Sequence, residues 1–187
     1  MITTPDYALM AGGAYITSRS PANRFPTPTS WQELAYMRQN LPSGFEAVTF
    51  KNNTTGEIVI SFAGTNDPAD WATNFSLATG FNAQQLKEAA AYYLTVLTTV
   101  ANSNPNAWIT FTGHSLGGGL AALMSVFFDK GAVTFDQAPF AQSARAFDNP
   151  INVAISLRDY LAGETLVGNE ATVRGGMPAN NVWKMAA

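Results

Sequence analysis

Five residues, Gly113-His114-Ser115-Leu116-Gly117, constrain this chain more than any other feature. They fit the pattern G-x-S-x-G, and the flanking segments give that pattern its meaning. Ala107 to Thr112 (AWITFT) reads as a short apolar strand. Leu116 to Phe128 (LGGGLAALMSVFF) reads as a buried helix ended by Gly131. A serine between such a strand and such a helix occupies a tight turn with strained backbone angles. Side chains two positions to either side would collide, so glycine is needed at 113 and 117. The turn lifts the hydroxyl clear of the sheet. It also aims the helix N-terminus, with the Leu116 N–H, at a bound oxygen. With Gly and Ser each near ~7% of residues, the pattern arises by chance roughly 0.06 times in a chain of this size, so the strand and helix around it decide its meaning.

The rest of the chain agrees with a strand and helix alternation. Thr4-Pro5-Asp6 predicts a helix start, continuing to about Ile16. Pro21, Pro26 and Pro28 mark a loop over 18–29, and Ser30-Trp31-Gln32-Glu33 is a capping box that predicts a short helix to about Gln39. Phe45 to Lys51 and Glu57 to Ala63, joined by turn residues, predict a hairpin that leads into a buried strand. Leu86, Ala90, Tyr93, Leu97 and Val100 follow the 3.6-residue period of an amphipathic helix beginning near Asn82. Ala132 to Phe135 reads as a strand, Phe140 to Phe147 as a short helix and Asn152 to Leu157 as a further strand. After Gly163 the pattern fades. Such alternation predicts an α/β fold with a mainly parallel central sheet and crossover helices. No repeat or linker divides it, so residues 1–187 read as one domain.

Composition removes several functions. Net charge is −3 and no Lys or Arg run offers a phosphate track, which argues against nucleic acid. The chain has no cysteine and one histidine, His114, so disulfides, thiolate metal sites and multi-histidine metal sites are excluded. No cofactor is expected. No secretory signal opens the chain and no apolar run reaches ~18 residues, so no membrane span is expected and the compartment stays open. Only 12% of residues are charged. Such a surface suits apolar substrates and transient contact with a lipid interface.

Three segments carry a resemblance to a known family. TFTGHSLGGGLAAL resembles the nucleophile elbow of the class 3 (fungal-type) lipases. ISFAGTNDPADWATNF resembles their strand, oxyanion loop and lid segment, and AVTFDQAPF the strand after the nucleophile helix. The segments keep the family's order and spacing over about residues 57 to 140. The resemblance implies the α/β-hydrolase fold and hydrolysis of carboxylic esters of lipids. It also implies Ser115 as nucleophile, Leu116 and Thr65 as oxyanion donors, and Asp70, Trp71 and Phe75 in a lid-like segment.

A serine hydroxyl needs a base within hydrogen-bond reach, and in this fold the order is Ser, then Asp or Glu, then His. No histidine follows Ser115. His114, beside the nucleophile, is expected to point away from the serine hydroxyl toward the sheet or a neighbouring loop. The base is therefore expected from outside this chain. The final strands and helix of the fold are also expected to be missing, leaving an exposed sheet edge and a tendency to self-associate. For the acid, Asp136 ends the strand AVTF and Asp159 follows NVAISLR, while Glu164 is a weaker third candidate. A non-catalytic lipase-like binding module is the alternative to an esterase.

Overall fold

The computed structural model describes residues 2–64, 83–100, 107–128 and 130–137. In chain order they form helix α1 (Thr4–Gly13) and strands β1 (Trp31–Glu33), β2 (Gln39–Asn40), β3 (Glu46–Asn52) and β4 (Ile58–Phe62). Helix α2 (Ala83–Thr99), strand β5 (Ile109–His114), helix α3 (Leu116–Phe128) and strand β6 (Gly131–Phe135) follow. Short 3-10 turns lie at Pro21–Asn23 and Ala35–Met37.

The sheet grows from the hairpin that the sequence marks at 45–63. β3 and β4 pair antiparallel, from Ala47 opposite Phe62 to Lys51 opposite Ile58. Their turn is closed by the Asn52 side chain, which accepts the N–H groups of Thr54 and Thr55 at 2.9 Å each. From β4 onward the sheet is parallel: β5 lies beside β4 and β6 beside β5. The strand order is β1-β3-β4-β5-β6, with β2 also paired to β3. The α/β fold read from the alternation is thus present. The sheet is mixed as a whole, antiparallel before residue 57 and parallel after it.

Alternation along β4 divides the core. Ile58, Ile60 and Phe62 face α2 and α3, in a cluster with Tyr92, Val96, Phe111, Leu123 and Met124. Val59 faces the opposite side, with Met10, Ala14, Trp31, Val48 and Phe50. The sheet therefore lies between α1 on one face and α2 with α3 on the other. Each large apolar side chain buried this way contributes ~1.5–3 kcal/mol. Both crossovers β4–α2–β5 and β5–α3–β6 place their helices on the same face, as successive connections of one hand must. The polar C-terminal ends of β4, β5 and β6 thereby converge at one rim.

Two boundary expectations are corrected. The cap of α1 is Thr3, not Thr4: its N–H donates to Asp6 Oδ2 (2.9 Å) and its hydroxyl receives the Asp6 N–H (3.4 Å). The helix expected over 30–39 is instead β1, a 3-10 turn and β2. Ser30 has φ 69, which no helix cap adopts, and Glu33 turns its carboxylate to Arg38, not back to residue 30. Trp31 to Glu33 complete the outer edge of β3, with Trp31 opposite Asn52. Backbone pairing at an open edge, with burial of Trp31, outweighs a local capping preference. The helix expected at 140–147 and the strand at 152–157 lie outside the described residues.

Candidate active site

β5 ends at His114 and α3 begins at Leu116, so one residue makes the whole turn. Ser115 belongs to both neighbours. Its N–H donates to Phe135 O (3.1 Å), extending the β5–β6 ladder, and its carbonyl accepts the Gly119 N–H (3.1 Å), starting the helix. Meeting both demands forces φ to 55, the left-handed region. For a residue with a Cβ this costs about 1–2 kcal/mol, and it persists only where the surroundings over-determine it. Here they do. A Cβ on Gly117 would lie 2.2 Å from Phe62 O, and one on Gly113 would lie 2.4 Å from Gly117 O and 2.8 Å from Phe62 O. The turn is closed against the end of β4 with no room for a side chain at either glycine.

The same rim gathers hydrogen-bond donors. Leu116 is the first residue of α3, where a backbone N–H has no partner within the helix. Gly64 follows β4, and the space a Cβ would fill there lies 3.3 Å from Leu116 N and 3.0 Å from His114 O. The exit of β4 and the entry of α3 thus meet with only hydrogen between them. The Leu116 N–H, at a helix N-terminus beside that strand exit, is a donor of the kind suited to an oxyanion.

The remaining sequence-derived residues divide sharply. Ser115 and Leu116 are brought together. Asp136 lies one residue past Phe135, on the neighbouring strand's tip, and is exposed with φ 42. After it, Gln137 accepts the Thr134 hydroxyl (2.6 Å) and packs toward Gly118. Thr65, Asp70, Trp71, Phe75, Asp159 and Glu164 lie outside the described residues. His114 is exposed, and its Nδ1 lies 3.1 Å from the Tyr15 hydroxyl, as expected of a ring turned toward a neighbouring segment. Among the described residues, no three His, Cys, Asp or Glu side chains cluster to hold a metal. None of the described helices is long and apolar enough to cross a membrane.

Tyr15 is the residue that the sequence did not mark. It follows α1, and its hydroxyl touches His114 Nδ1 and, at 3.3 Å, His114 O. Burial pushes its hydroxyl above the usual tyrosine value. The Gly64 N–H and the Arg19 guanidinium partly offset that, and Glu46 adds slightly to it. Glu46 itself is buried at the start of β3, where it accepts the Ile16 N–H (3.0 Å) and the Thr17 hydroxyl. It thereby anchors the segment that carries Tyr15. Nothing in the spacing of residues 15, 46 and 114 announces this contact.

Comparison with known proteins decides the family. The phospholipase-like family, described as a Tle-like phospholipase domain, matches residues 6–154. The chain belongs to this family. A lipase-type family is what the elbow segment implied. An extracellular phospholipase A1 of Serratia liquefaciens is 38% identical over 96 residues, covering 51% of this chain and 28% of that protein. A secreted mono- and diacylglycerol lipase of Fusarium solani is 29% identical over 107 residues, covering 50% of this chain and 32% of its own length. The chain thus matches about a third or less of these relatives. The crystal structure of a lipase from Rhizopus microsporus var. chinensis superposes with a TM-score of 0.54 at 16% identity, covering 71% of this chain and 55% of that one. At that identity the likeness speaks for the fold alone.

Proposed function

We propose that this phospholipase-like domain carries the nucleophile and oxyanion side of a serine carboxylic-ester hydrolase whose substrates are lipid acyl esters, phospholipids foremost. One observation carries the reading: Ser115 is held in a left-handed turn between strand and helix, at the cost that such a turn imposes, with the first N–H of the helix beside it. The family description and the phospholipase A1 relative support a phospholipid.

In this reading Ser115 Oγ attacks the ester carbonyl. The Leu116 and Thr65 N–H groups receive the negative oxygen, each contributing ~3 kcal/mol of barrier lowering, and the Thr65 hydroxyl is a third donor. The alcohol leaves, the acyl group stays on Ser115, and water releases it. The base that accepts the serine proton is a histidine that these 187 residues do not contain, since His114 precedes the nucleophile and turns to Tyr15. The acid that orients it is Asp136 or Asp159, with Glu164 third. The strand-tip position of Asp136, next to the residue that binds the Ser115 N–H, supports the first. Asp70, Trp71 and Phe75 belong to the lid-like segment that the lipase resemblance implies.

The test is release of fatty acid from phosphatidylcholine micelles, and of p-nitrophenol from a short ester, by the purified protein in the form that supplies the histidine, beside the same form carrying Ser115→Ala. Activity lost in the variant supports the reading; equal activity in both proteins sinks it. The second reading is a lipase-like binding module without catalysis. In that case both proteins are inert and bind phospholipid vesicles alike.

A further inference from the structure

Among the described residues, the contacts of the Tyr15 hydroxyl fall on the rim where β4 and β5 end. The oxygen lies 3.1 Å from His114 Nδ1 and 3.3 Å from His114 O. It also lies 2.7 Å from the point a Gly64 Cβ would occupy. A phenol has one proton to donate and two lone pairs to receive with. The carbonyl of His114 can only accept, so a satisfied arrangement directs the Tyr15 O–H to it. Nδ1 must then be the donor, and its N–H points to the Tyr15 oxygen. With the proton on Nδ1 instead absent, the hydroxyl could serve only one of its two neighbours, and two oxygens would face each other at 3.3 Å without a hydrogen between them.

We propose that Tyr15 is a positioning residue of the elbow: its hydroxyl holds His114 as the Nδ1–H tautomer and ties the end of β5 to Gly64 at the exit of β4. The consequence is twofold. Nε2 becomes the acceptor nitrogen of an exposed ring beside the nucleophile. The two neighbouring backbone segments, Gly64 on one side and His114 to Leu116 on the other, are also held at a fixed separation. That second consequence bears on catalysis only through the ester-hydrolase reading; the tautomer and the clamp do not depend on it.

The segment bearing Tyr15 is built to hold a position. Ala14 before it is fully buried, and Ile16 and Thr17 after it are bonded to the buried Glu46. The Arg19 guanidinium lies 5.5 Å over the Tyr15 ring and 4.6 Å over Phe25, a cation held between two aromatic faces. The Tyr15 and His114 rings meet edge-on at 6.3 Å. The hydroxyl also keeps its proton in neutral solution, because burial disfavours its charged form.

One spectrum tests this without any need for activity. His114 is the only histidine, so the long-range proton–nitrogen spectrum of the protein contains one imidazole. Recorded with the ring in its neutral form, it is expected to show a protonated Nδ1 and an unprotonated Nε2. The opposite tautomer, or an averaged pair of nitrogens, in the unmutated protein would overturn the proposal. Tyr15→Phe keeps the ring and removes the hydroxyl. In that variant the Nδ1–H preference should disappear. Amide exchange at Gly64 should quicken about tenfold, the loss expected for one hydrogen bond, while Ile109 and Thr110 at the far end of β5 keep their protection. An unchanged imidazole spectrum or unchanged exchange at Gly64 would refute the clamp. Failure of the phosphatidylcholine assay would leave both of these readouts untouched, so the two readings fall separately.

Discussion

Gly117→Ala sets two general rules against each other at one residue. Gly117 lies inside α3 and has an ordinary negative φ, so helix propensity favours alanine by about 0.5–1 kcal/mol. The packing says the reverse. The added Cβ would meet Phe62 O at 2.2 Å, Ala63 C at 2.6 Å and Ala63 O at 2.8 Å. All three are backbone atoms, so no rotamer change relieves them, and α3 must retreat from β4 by roughly 1 Å, the kind of overpacking that costs about 1–3 kcal/mol. With no flexible neighbour the cost belongs at the upper end. After the propensity gain, a net loss of about 2 kcal/mol remains, or a Tm lower by about 4–8 °C for a domain of this size. Gly131→Ala is the control. Its Cβ would find only the Thr110 side chain, at 3.7 Å, and should stay within about 0.5 kcal/mol of the parent. Urea and thermal unfolding of the three proteins decide the matter. A Gly117→Ala variant as stable as the parent, or more so, would show that the turn is not closed against β4, and the reason given for the glycines would be wrong.

Three further outcomes follow from other parts of the structure. Ser115→Gly should be about 1 kcal/mol more stable than Ser115→Ala, because both remove the hydroxyl but only glycine relaxes φ 55; equal urea midpoints would argue that the turn holds no strain. Glu46→Ala should cost about 2–3 kcal/mol in chemical unfolding, since it strips a charged acceptor from the Ile16 N–H and the Thr17 hydroxyl; a loss below about 0.5 kcal/mol would count against Glu46 as the anchor. The protein should lose stability in strong base. Burial pushes Tyr93 up to about 12 and pushes Tyr92 up as well, the latter against the lowering effect of its bond to Thr49 (2.7 Å). A raised value means that the unfolded chain releases these protons first. Stability is therefore intact below about pH 10 and falls above it by about 1.4 kcal/mol per pH unit for each tyrosine until the folded group ionises. Tyr93→Phe should flatten the slope of urea-derived stability between about pH 10 and 12, and an unchanged slope would contradict this assignment.

Elements whose pattern is repeated over many residues were legible in the sequence. The apolar spacing from Leu86 to Val100 and the run Leu116 to Phe128 became α2 and α3 within a residue or two. The hairpin at 45–63 was legible because its turn chemistry is local, down to the Asn52 side chain that closes it. The capping box at Ser30 misled because it describes only a local preference. Its competitor, the unpaired edge of β3 some 20 residues later, leaves no mark on the segment that will pair with it. Trp31 was an inward-facing strand residue all along, and one aromatic at the start of a polar run does not distinguish the two outcomes.

The site divides along the same line. Ser115, with its glycines, was legible because the geometry of one turn dictates residue types at fixed spacing. Tyr15 was not, because its role depends on where the sheet brings α1. That helix lies across β4, β5 and β6 on the face opposite α3, and its continuation reaches the rim just where β5 ends. The elbow therefore has two kinds of support. Glycine at 113 and 117 removes obstacles, letting Ser115 approach β4 closely enough to enter the left-handed region. Tyr15 adds a link, from the opposite layer of the domain to the histidine beside the serine. Only the first kind restricts residue types by spacing along the chain. The second acts at a separation of 99 residues and leaves no pattern in sequence, yet it lies against both the strand exit at Gly64 and the end of β5. A strained turn that must keep its shape as charge develops beside it requires both, since removing steric obstacles permits the geometry without fixing it.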